Sequence, residues 1–197
     1  MNFYPMRPLN GGTPDRVFVR DWAIEPKYNG WRCILNTKTG KLYNRHKTII
    51  SISSEMKTAV DMAIAAFGGI AEWVDCEGLE RRHKIGQGTL IVLDLLIPGT
   101  YAYRKHVISR STSAQLGPEC VELSIAEKPK DHFLYTAPYW ITPDKTAGEL
   151  CKELKIVNSC FGADYYEGLV CKKPSSVYTA SGSSERTTSD WIKHRFV

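Results

Sequence analysis

One lysine in the sequence is placed where it could act as a nucleophile. Residues 25–32 read EPKYNGWR, so a strand-like segment leads into Lys27, and Gly30 then allows a turn before a second strand-like segment. Such a lysine would be held rigidly, and it can attack an electrophile once it has lost its proton. From this segment alone, an exposed lysine in a surface hairpin is the more frequent interpretation.

Charged residues recur along the chain in further short segments. These segments are YNR at 43–45, DCE at 75–77, LDLL at 93–96, EGLVCK at 167–172 and WIKHR at 191–195. Glu-Gly-Leu occurs twice, but only the copy at Glu167 continues into valine and lysine in a strand pattern. The copy at Glu77 runs into the charged residues 80–84, which are typical of a solvated turn.

This ordered series resembles the motifs of the covalent nucleotidyltransferases, in particular the adenylation domain of ATP-dependent DNA ligases. The segment with Lys27 resembles motif I, K-x-D-G-x-R, and the last two segments resemble motifs IV and V. The three segments between them resemble the Arg-bearing element, motif III and motif IIIa. Asn29, Cys76 and Leu93 stand where this family usually has Asp, Gly and an aromatic residue.

The resemblance implies a set of catalytic residues. Lys27 would attack ATP, become joined to AMP and release pyrophosphate. Lys172 and Lys193 would face the α-phosphate, because the transferred group develops negative charge that cations stabilise. Glu167, together with Glu77, would hold Mg²⁺, which prefers hard oxygen ligands.

The resemblance also assigns contacts to the rest of the nucleotide. Glu25 would meet the adenine edge, Glu77 the ribose hydroxyls, and Arg32 the ribose and phosphate region. Leu93 would contact the base through its apolar side chain. ATP is therefore the expected nucleotide and Mg²⁺ the expected metal ion.

Nucleic acid is the expected partner, as nicked duplex DNA or another polynucleotide. Arg45 would hold a 5′-phosphate, and Arg195 is assigned to nucleic acid as well. The 26 Lys and Arg residues outnumber the 21 Asp and Glu residues, which gives a formal charge of +5 and a pI near 8.8. A modest positive charge suits a polyanionic partner.

Three alternatives share part of this pattern. RNA ligases and mRNA-capping guanylyltransferases use the same covalent chemistry. Arg32 favours a DNA ligase, because many RNA ligases carry Asn there, and Trp191 at the start of motif V does so too. An inactive nucleotide or nucleic-acid binding module would keep the fold but would not need Lys27 as a nucleophile.

Strands are the main elements that must position these residues. Apolar spacing predicts a helix over 53–67, and a further helix opens with Thr142 as N-cap and Pro143 at its first position. A third helix is expected over 104–116. The predicted strands are 17–23, 31–37, 41–44, 70–79, 89–96, 133–140, 169–172 and 191–196, with a hairpin turn at 38–40 and a loop over 175–189. Because strands and helices do not alternate regularly, we expect an α+β fold with antiparallel sheets. The resemblance implies that helices flank these sheets and that the nucleotide pocket lies between them.

The length of 197 residues predicts one domain, and the resemblance implies that this domain, over 1–197, is a nucleotidyltransferase. No signal sequence or membrane span is recognisable, so we expect an intracellular protein with no membrane partner. The six cysteines form no C-x-x-C pair, which predicts reduced thiols. The chain ends two residues after motif V, where the family continues into an OB-fold domain. We therefore expect no OB-fold domain, and slow adduct formation unless a separate protein supplies the closing domain.

Overall fold

The computed structural model describes residues 1–12, 21–79, 85–116, 124–139 and 145–196. Three helices are present: α1 (Ser54–Phe67), α2 (Tyr101–Leu116) and α3 (Ala147–Phe161). The strands are β1 (Arg7–Asn10), β2 (Ala23–Tyr28), β3 (Trp31–Asn36), β4 (Lys41–Asn44), β5 (Ile49–Ile50), β6 (Trp73–Leu79), β7 (Thr89–Leu95), β8 (Leu134–Thr136), β9 (Tyr166–Lys172) and β10 (Thr187–Arg195).

These strands form two sheets, which confirms the predicted α+β fold. The four-stranded sheet has the order β1-β10-β9-β2, and the six-stranded sheet has the order β5-β4-β3-β6-β7-β8. Pairing is antiparallel except at β1–β10 and β7–β8, so each sheet carries one parallel pair. Neither strand order closes into a barrel within the described ranges.

One face of the six-stranded sheet packs on α1 and α2. Side chains alternate along a strand, so Cys33, Val74 and Val92 all point to this face and are fully buried. Val60 and Phe67 of α1 pack against them. The helical spacing of these apolar residues is the reason that α1 forms where the sequence predicts it.

A second core joins the two sheets to α3. Ile24 and Leu169 of the four-stranded sheet pack with Ile91 of the six-stranded sheet and with Leu150 and Leu154 of α3. Because neighbouring residues on β2 and β9 point to the opposite face, this core leaves that face available for polar side chains.

The helix predictions are confirmed for α1 and α2 and corrected for α3. Thr146, not Thr142, is the N-cap of α3, and its side chain and that of Glu149 form a reciprocal capping box. Thr142 and Pro143 lie outside the described residues. None of the helices in the described ranges is long and apolar enough to cross a membrane.

The strand predictions differ from the structure mainly at their ends. Residues 17–20 lie outside the described ranges, and the strand expected to end at Ala23 begins there instead. Pro26 argues against a strand in the sequence, because proline lacks a backbone N–H. In the structure β2 lies at a sheet edge, where proline is tolerated. A loop was expected over 175–189, but β10 already begins at Thr187. The short strands β1 and β5 were not predicted.

A buried ion pair links the six-stranded sheet to α2. The Arg104 guanidinium donates to both oxygens of Asp94, at 2.7 and 2.9 Å, and neither side chain is exposed. Arg104 also donates to the carbonyl oxygen of Gly99 at 2.6 Å. Burial raises the pKa of Asp94, and the hydrogen bonds from Arg104 oppose that rise. The start of α2 is thereby fixed against β7.

We predict that Arg104→Met lowers the free energy of unfolding by about 3–5 kcal/mol, because it leaves the Asp94 carboxylate buried without its partner. Urea denaturation measures the loss. Arg110→Met, which changes an exposed arginine on the same helix, is the matched control. Equal stability of the two variants would contradict a structural role for the pair.

Candidate active site

A cavity of about 440 Å³ lies between the two sheets. Every site residue predicted from the sequence contributes to its lining: Glu25, Lys27, Arg32, Arg45, Glu77, Leu93, Glu167, Lys172, Lys193 and Arg195. Six segments that are distant in the sequence therefore meet at one pocket. Their proximity is an observation, whereas their individual roles remain predictions.

Strands β2, β9 and β10 supply most of the charged lining. Lys27 lies opposite Gly168 of β9, and Gly168 lies opposite Arg195 of β10. Side chains two residues apart on a strand share a face, so Lys193 joins Arg195, and Glu25 joins Lys27, on the pocket side. The prediction that Lys172 and Lys193 lie on adjacent late strands is confirmed.

Gly168 is required by the close approach of β9 and β10. Its φ of +150° is one that side-chain-bearing residues rarely adopt, and a Cβ atom here would stand 1.9 Å from the carbonyl oxygen of His194. The glycine of the Glu-Gly-Leu segment thus allows the two strands to pair beside Lys27.

Lys27 forms an ion pair with Glu167. Its Nζ donates to Oε1 of Glu167, and the two side chains are 18% and 26% exposed. A guanidinium nitrogen of Arg195 lies 3.7 Å from the same carboxylate oxygen. The lysine is therefore held in place at the pocket wall but stays accessible to a ligand.

Additional cations surround Lys27. Desolvation lowers the pKa of Lys193, and the charges of Arg195, Arg7 and Lys27 lower it further. Arg7 of β1 lines the pocket and pairs with Glu185, although it lies in none of the sequence motifs. This part of the pocket holds more basic than acidic side chains and suits an anionic group such as phosphate.

Arg32 is fixed by the motif III carboxylate. It donates to both oxygens of Asp75, at 2.8 and 2.5 Å, and the Tyr178 hydroxyl donates to Asp75 Oδ2 at 2.8 Å. Burial acts to lower the pKa of Arg32, but the Asp75 carboxylate outweighs it and raises the pKa. Tyr178 lies in the segment predicted as a loop, so sequence patterns could not connect it with Arg32.

Glu77 lies between positive and negative neighbours. Burial raises its pKa to about 7; Lys27 and Arg32 oppose the rise, and the Glu167 charge adds to it. A pair of mutually repelling carboxylates beside a cavity fits a hard divalent cation, since Mg²⁺ binds through one or two carboxylates plus substrate phosphates. Within the described ranges, no three His, Cys, Asp or Glu side chains form a metal-binding cluster on their own.

Glu25 and Lys172 are buried side chains that line the pocket. Lys172 Nζ lies 2.7 Å from Glu25 Oε2 and over the ring of Trp191, 4.4 Å from its centroid. Tyr101 and Lys105 of α2 also bind Glu25, and the sequence identified neither as a partner of this carboxylate. Two residues of the helix thus support a charged group in the pocket.

Two predicted residues lie at other parts of the pocket. Leu93 of β7 is half-buried and offers an apolar side chain to the cavity. Arg45 is exposed, and its Nε lies 3.0 Å from a ring nitrogen of His46, so it remains accessible from solvent. Arg45 therefore has the placement expected of a residue that meets a large external ligand.

The sequence matches no protein-family model and no curated protein. Among solved structures, it is similar to a mycobacterial DNA ligase D complexed with ATP, with a TM-score of 0.62 and 16% identity over 98% of this chain. It is also similar to Chlorella virus DNA ligase-adenylate, with a TM-score of 0.61 and 14% identity over 98% of this chain. A Lig E DNA ligase matches with a TM-score of 0.59 and 10% identity over 96% of this chain. The fold is that of a DNA ligase nucleotidyltransferase domain.

The likeness extends over part of each neighbour. The chain spans 60% of the mycobacterial structure and 68% of the Chlorella virus and Lig E structures. At 10–16% identity the comparison establishes the fold, while the chemistry must be argued from the residues in the pocket.

The raised pKa of Glu77 predicts a pH-dependent stability. A carboxyl group whose pKa rises from 4.5 to about 7 on folding contributes stability below pH 4.5 that is lost as the pH rises through 7. Glu77→Gln mimics the protonated form, so we expect it to match the wild type near pH 4.5 and to be more stable by about 1–3 kcal/mol above pH 7. Urea denaturation across this range tests the prediction.

The control for this experiment is Glu72→Gln. Glu72 is exposed and precedes the same strand, and its hydrogen bond from Lys38 lowers its pKa. Glu72→Gln should therefore not raise the free energy of unfolding above pH 7. If Glu77→Gln does not raise it either, the Glu77 carboxylate is not held in a desolvated position.

Proposed function

We propose that this chain is the catalytic core of an ATP-dependent DNA ligase that acts inside the cell on nicked duplex DNA. Lys27 is the nucleophile that becomes lysyl-AMP. One observation carries the proposal: all ten residues that the motifs single out line the same cavity, in a fold shared with DNA ligases.

The first step joins AMP to Lys27. Nζ forms a bond to the α-phosphorus of ATP, the bond from that phosphorus to the bridging oxygen breaks, and pyrophosphate leaves with the electron pair. Glu167 accepts a hydrogen bond from Nζ and is therefore within reach to take its proton. Lys172 and Lys193 offset the charge that develops on the α-phosphate.

The next two steps use the same pocket. A 5′-phosphate oxygen attacks the lysyl-AMP phosphorus, the bond to Nζ breaks, and Lys27 is regenerated. A 3′-hydroxyl then attacks the 5′-phosphate, AMP leaves, and a phosphodiester bond forms. We assign the nucleic-acid backbone to Arg45 and Arg195, whose exposure supports this role.

Mg²⁺ fits this proposal through Glu167 and Glu77. Bound there, the ion would neutralise phosphate charge and supply the electrostatic stabilisation that a metal gives to phosphoryl transfer. Glu77 remains the proposed partner of the ribose hydroxyls. Arg32, fixed by Asp75, is the proposed cation beside the ribose and phosphate region.

We predict that Lys27→Ala abolishes transfer of AMP from labelled ATP, because the amine is required for chemistry and is not part of either core. The label on the protein is measured on a denaturing gel. Lys38→Ala, which removes a lysine with a 68% exposed side chain, should label like the wild type.

The same gel separates the alternatives. Acid-labile labelling that persists in Lys27→Ala would overturn the nucleophile assignment. Stronger labelling of the wild type by GTP than by ATP would indicate a capping guanylyltransferase. Binding of nucleotide without any covalent label would indicate an inactive binding module, and sealing of RNA alone would indicate an RNA ligase.

We further predict that Glu167→Ala reduces Mg²⁺-dependent labelling at least about tenfold while changing thermal stability little, because the carboxylate orients Lys27 and meets the metal. Labelling over a Mg²⁺ titration measures the effect. Glu153→Ala, which removes a partly exposed carboxylate of α3 that pairs with Lys145, is the control. Equal labelling of wild type and Glu167→Ala at every Mg²⁺ concentration would exclude the proposed role.

A further inference from the structure

Glu25 is a buried carboxylate with an unusual number of partners. Its side chain is 2% exposed, yet it lines the cavity. Oε1 accepts from the Tyr101 hydroxyl at 2.7 Å and from Lys105 Nζ at 3.3 Å, and Oε2 pairs with Lys172 Nζ at 2.7 Å. Three donors therefore determine how this carboxylate is oriented.

The two donors from α2 are themselves firmly held. Tyr101 is fully buried, and its backbone N–H donates to the carbonyl oxygen of Ser176 at 2.7 Å. Lys105 is 4% exposed, and its Nζ also donates to the carbonyl oxygen of Ala137 at 2.5 Å. Neither residue lines the cavity. Both residues therefore meet the cavity only through their contacts with Glu25.

The hydrogen-bonding capacity of Glu25 leaves room for one more donor. An ionised carboxylate accepts about four hydrogen bonds, two at each oxygen. Among the described residues, two donors meet Oε1 and one meets Oε2. The remaining lone pair on Oε2 can accept a single N–H, such as one from the amino group of adenine. Guanine carries a carbonyl oxygen at that position, which would face the carboxylate oxygen unfavourably.

The charge state of Glu25 is part of this discrimination. A neutral carboxyl group could donate to the guanine oxygen, whereas an ionised one only accepts. Burial acts to raise the pKa of Glu25, but Lys172 and Lys105 outweigh it and lower the pKa. Lys105 thus helps to keep the carboxylate ionised, and Tyr101 helps to keep it oriented.

We infer that Tyr101 and Lys105 are positioning residues for purine specificity, which hold Glu25 as an acceptor directed at the adenine amino group. This inference rests on the proposed function for the identity of the nucleotide. It adds a role for two buried residues of α2 that belong to none of the sequence motifs.

The test compares equilibrium binding of ATP and GTP by isothermal titration calorimetry. A Lys27→Ala background prevents covalent chemistry, and Tyr101→Phe and Lys105→Met are introduced singly. Each should reduce the ratio of ATP to GTP affinity by about tenfold, because a misdirected Glu25 carboxylate loses its hydrogen bond from the adenine amino group, and a hydrogen bond to a charged group contributes about tenfold or more in affinity. Tyr103→Phe and Arg110→Met change exposed residues of the same helix and should leave the ratio unchanged.

A double-mutant cycle separates positioning from general structural damage. If Tyr101 acts through Glu25, then Tyr101→Phe should have no further effect on the ratio once Glu25→Gln is present. An equal effect in both backgrounds would overturn the inference, and so would an unchanged ratio in both single variants. Melting temperatures identify a variant that does not fold, and the cycle is then run with Lys105→Met.

Failure of this inference can be distinguished from failure of the proposed function, because the first is measured by affinity ratios and the second by covalent labelling. Nucleotide binding with the expected ratios but no labelling of the wild type would reject the ligase proposal and support the inference. Labelling at Lys27 together with unchanged ratios in the variants would support the ligase proposal and reject the inference.

Discussion

The register of β2, β9 and β10 is the constraint on which the site depends. In a strand, successive side chains point to opposite faces, so one register places Lys27 and Glu25 in the pocket and buries Ile24 in the core with α3. A shift by one residue would exchange these two sets. The apolar core therefore fixes the positions of the charged residues, and Gly168 allows β10 to approach closely enough to add Lys193.

The charged residues of the pocket are held mostly by one another. Lys27 pairs with Glu167, Arg32 with Asp75, and Lys172 with Glu25. Desolvating such pairs costs free energy that hydrophobic residues of similar volume would not require, so they are poor evidence for stability. Their value is in orientation, because each basic side chain is fixed before a ligand arrives. Preorganised charges of this kind stabilise a transition state without rearrangement.

The sequence predicted the charged lining of the site well, because each residue lies in a short segment with a recognisable pattern. It also predicted α1, whose apolar spacing is a local signal, although Ser53, predicted as its first residue, is its N-cap. Tyr101 and Tyr178 were not identified, because their partners are distant along the chain and no periodicity records such contacts. Likewise, the strand was predicted over 17–23, whereas β2 begins at Ala23, because Pro26 contradicts the usual strand pattern. Proline is tolerated in β2 because this strand lies at a sheet edge.

The separation of Lys27 and Glu167 along the chain has a consequence for folding. These paired residues are 140 positions apart, and β2 is joined to the rest of its sheet through β9. Contacts at such long range form only after a costly loop closure, which slows folding. During synthesis the helices α1 and α2 can pack on the six-stranded sheet while β2 still lacks its neighbour. Lys27 can therefore pair with Glu167 only once β9 has been synthesised, so this side of the pocket forms after every strand of the six-stranded sheet has been made.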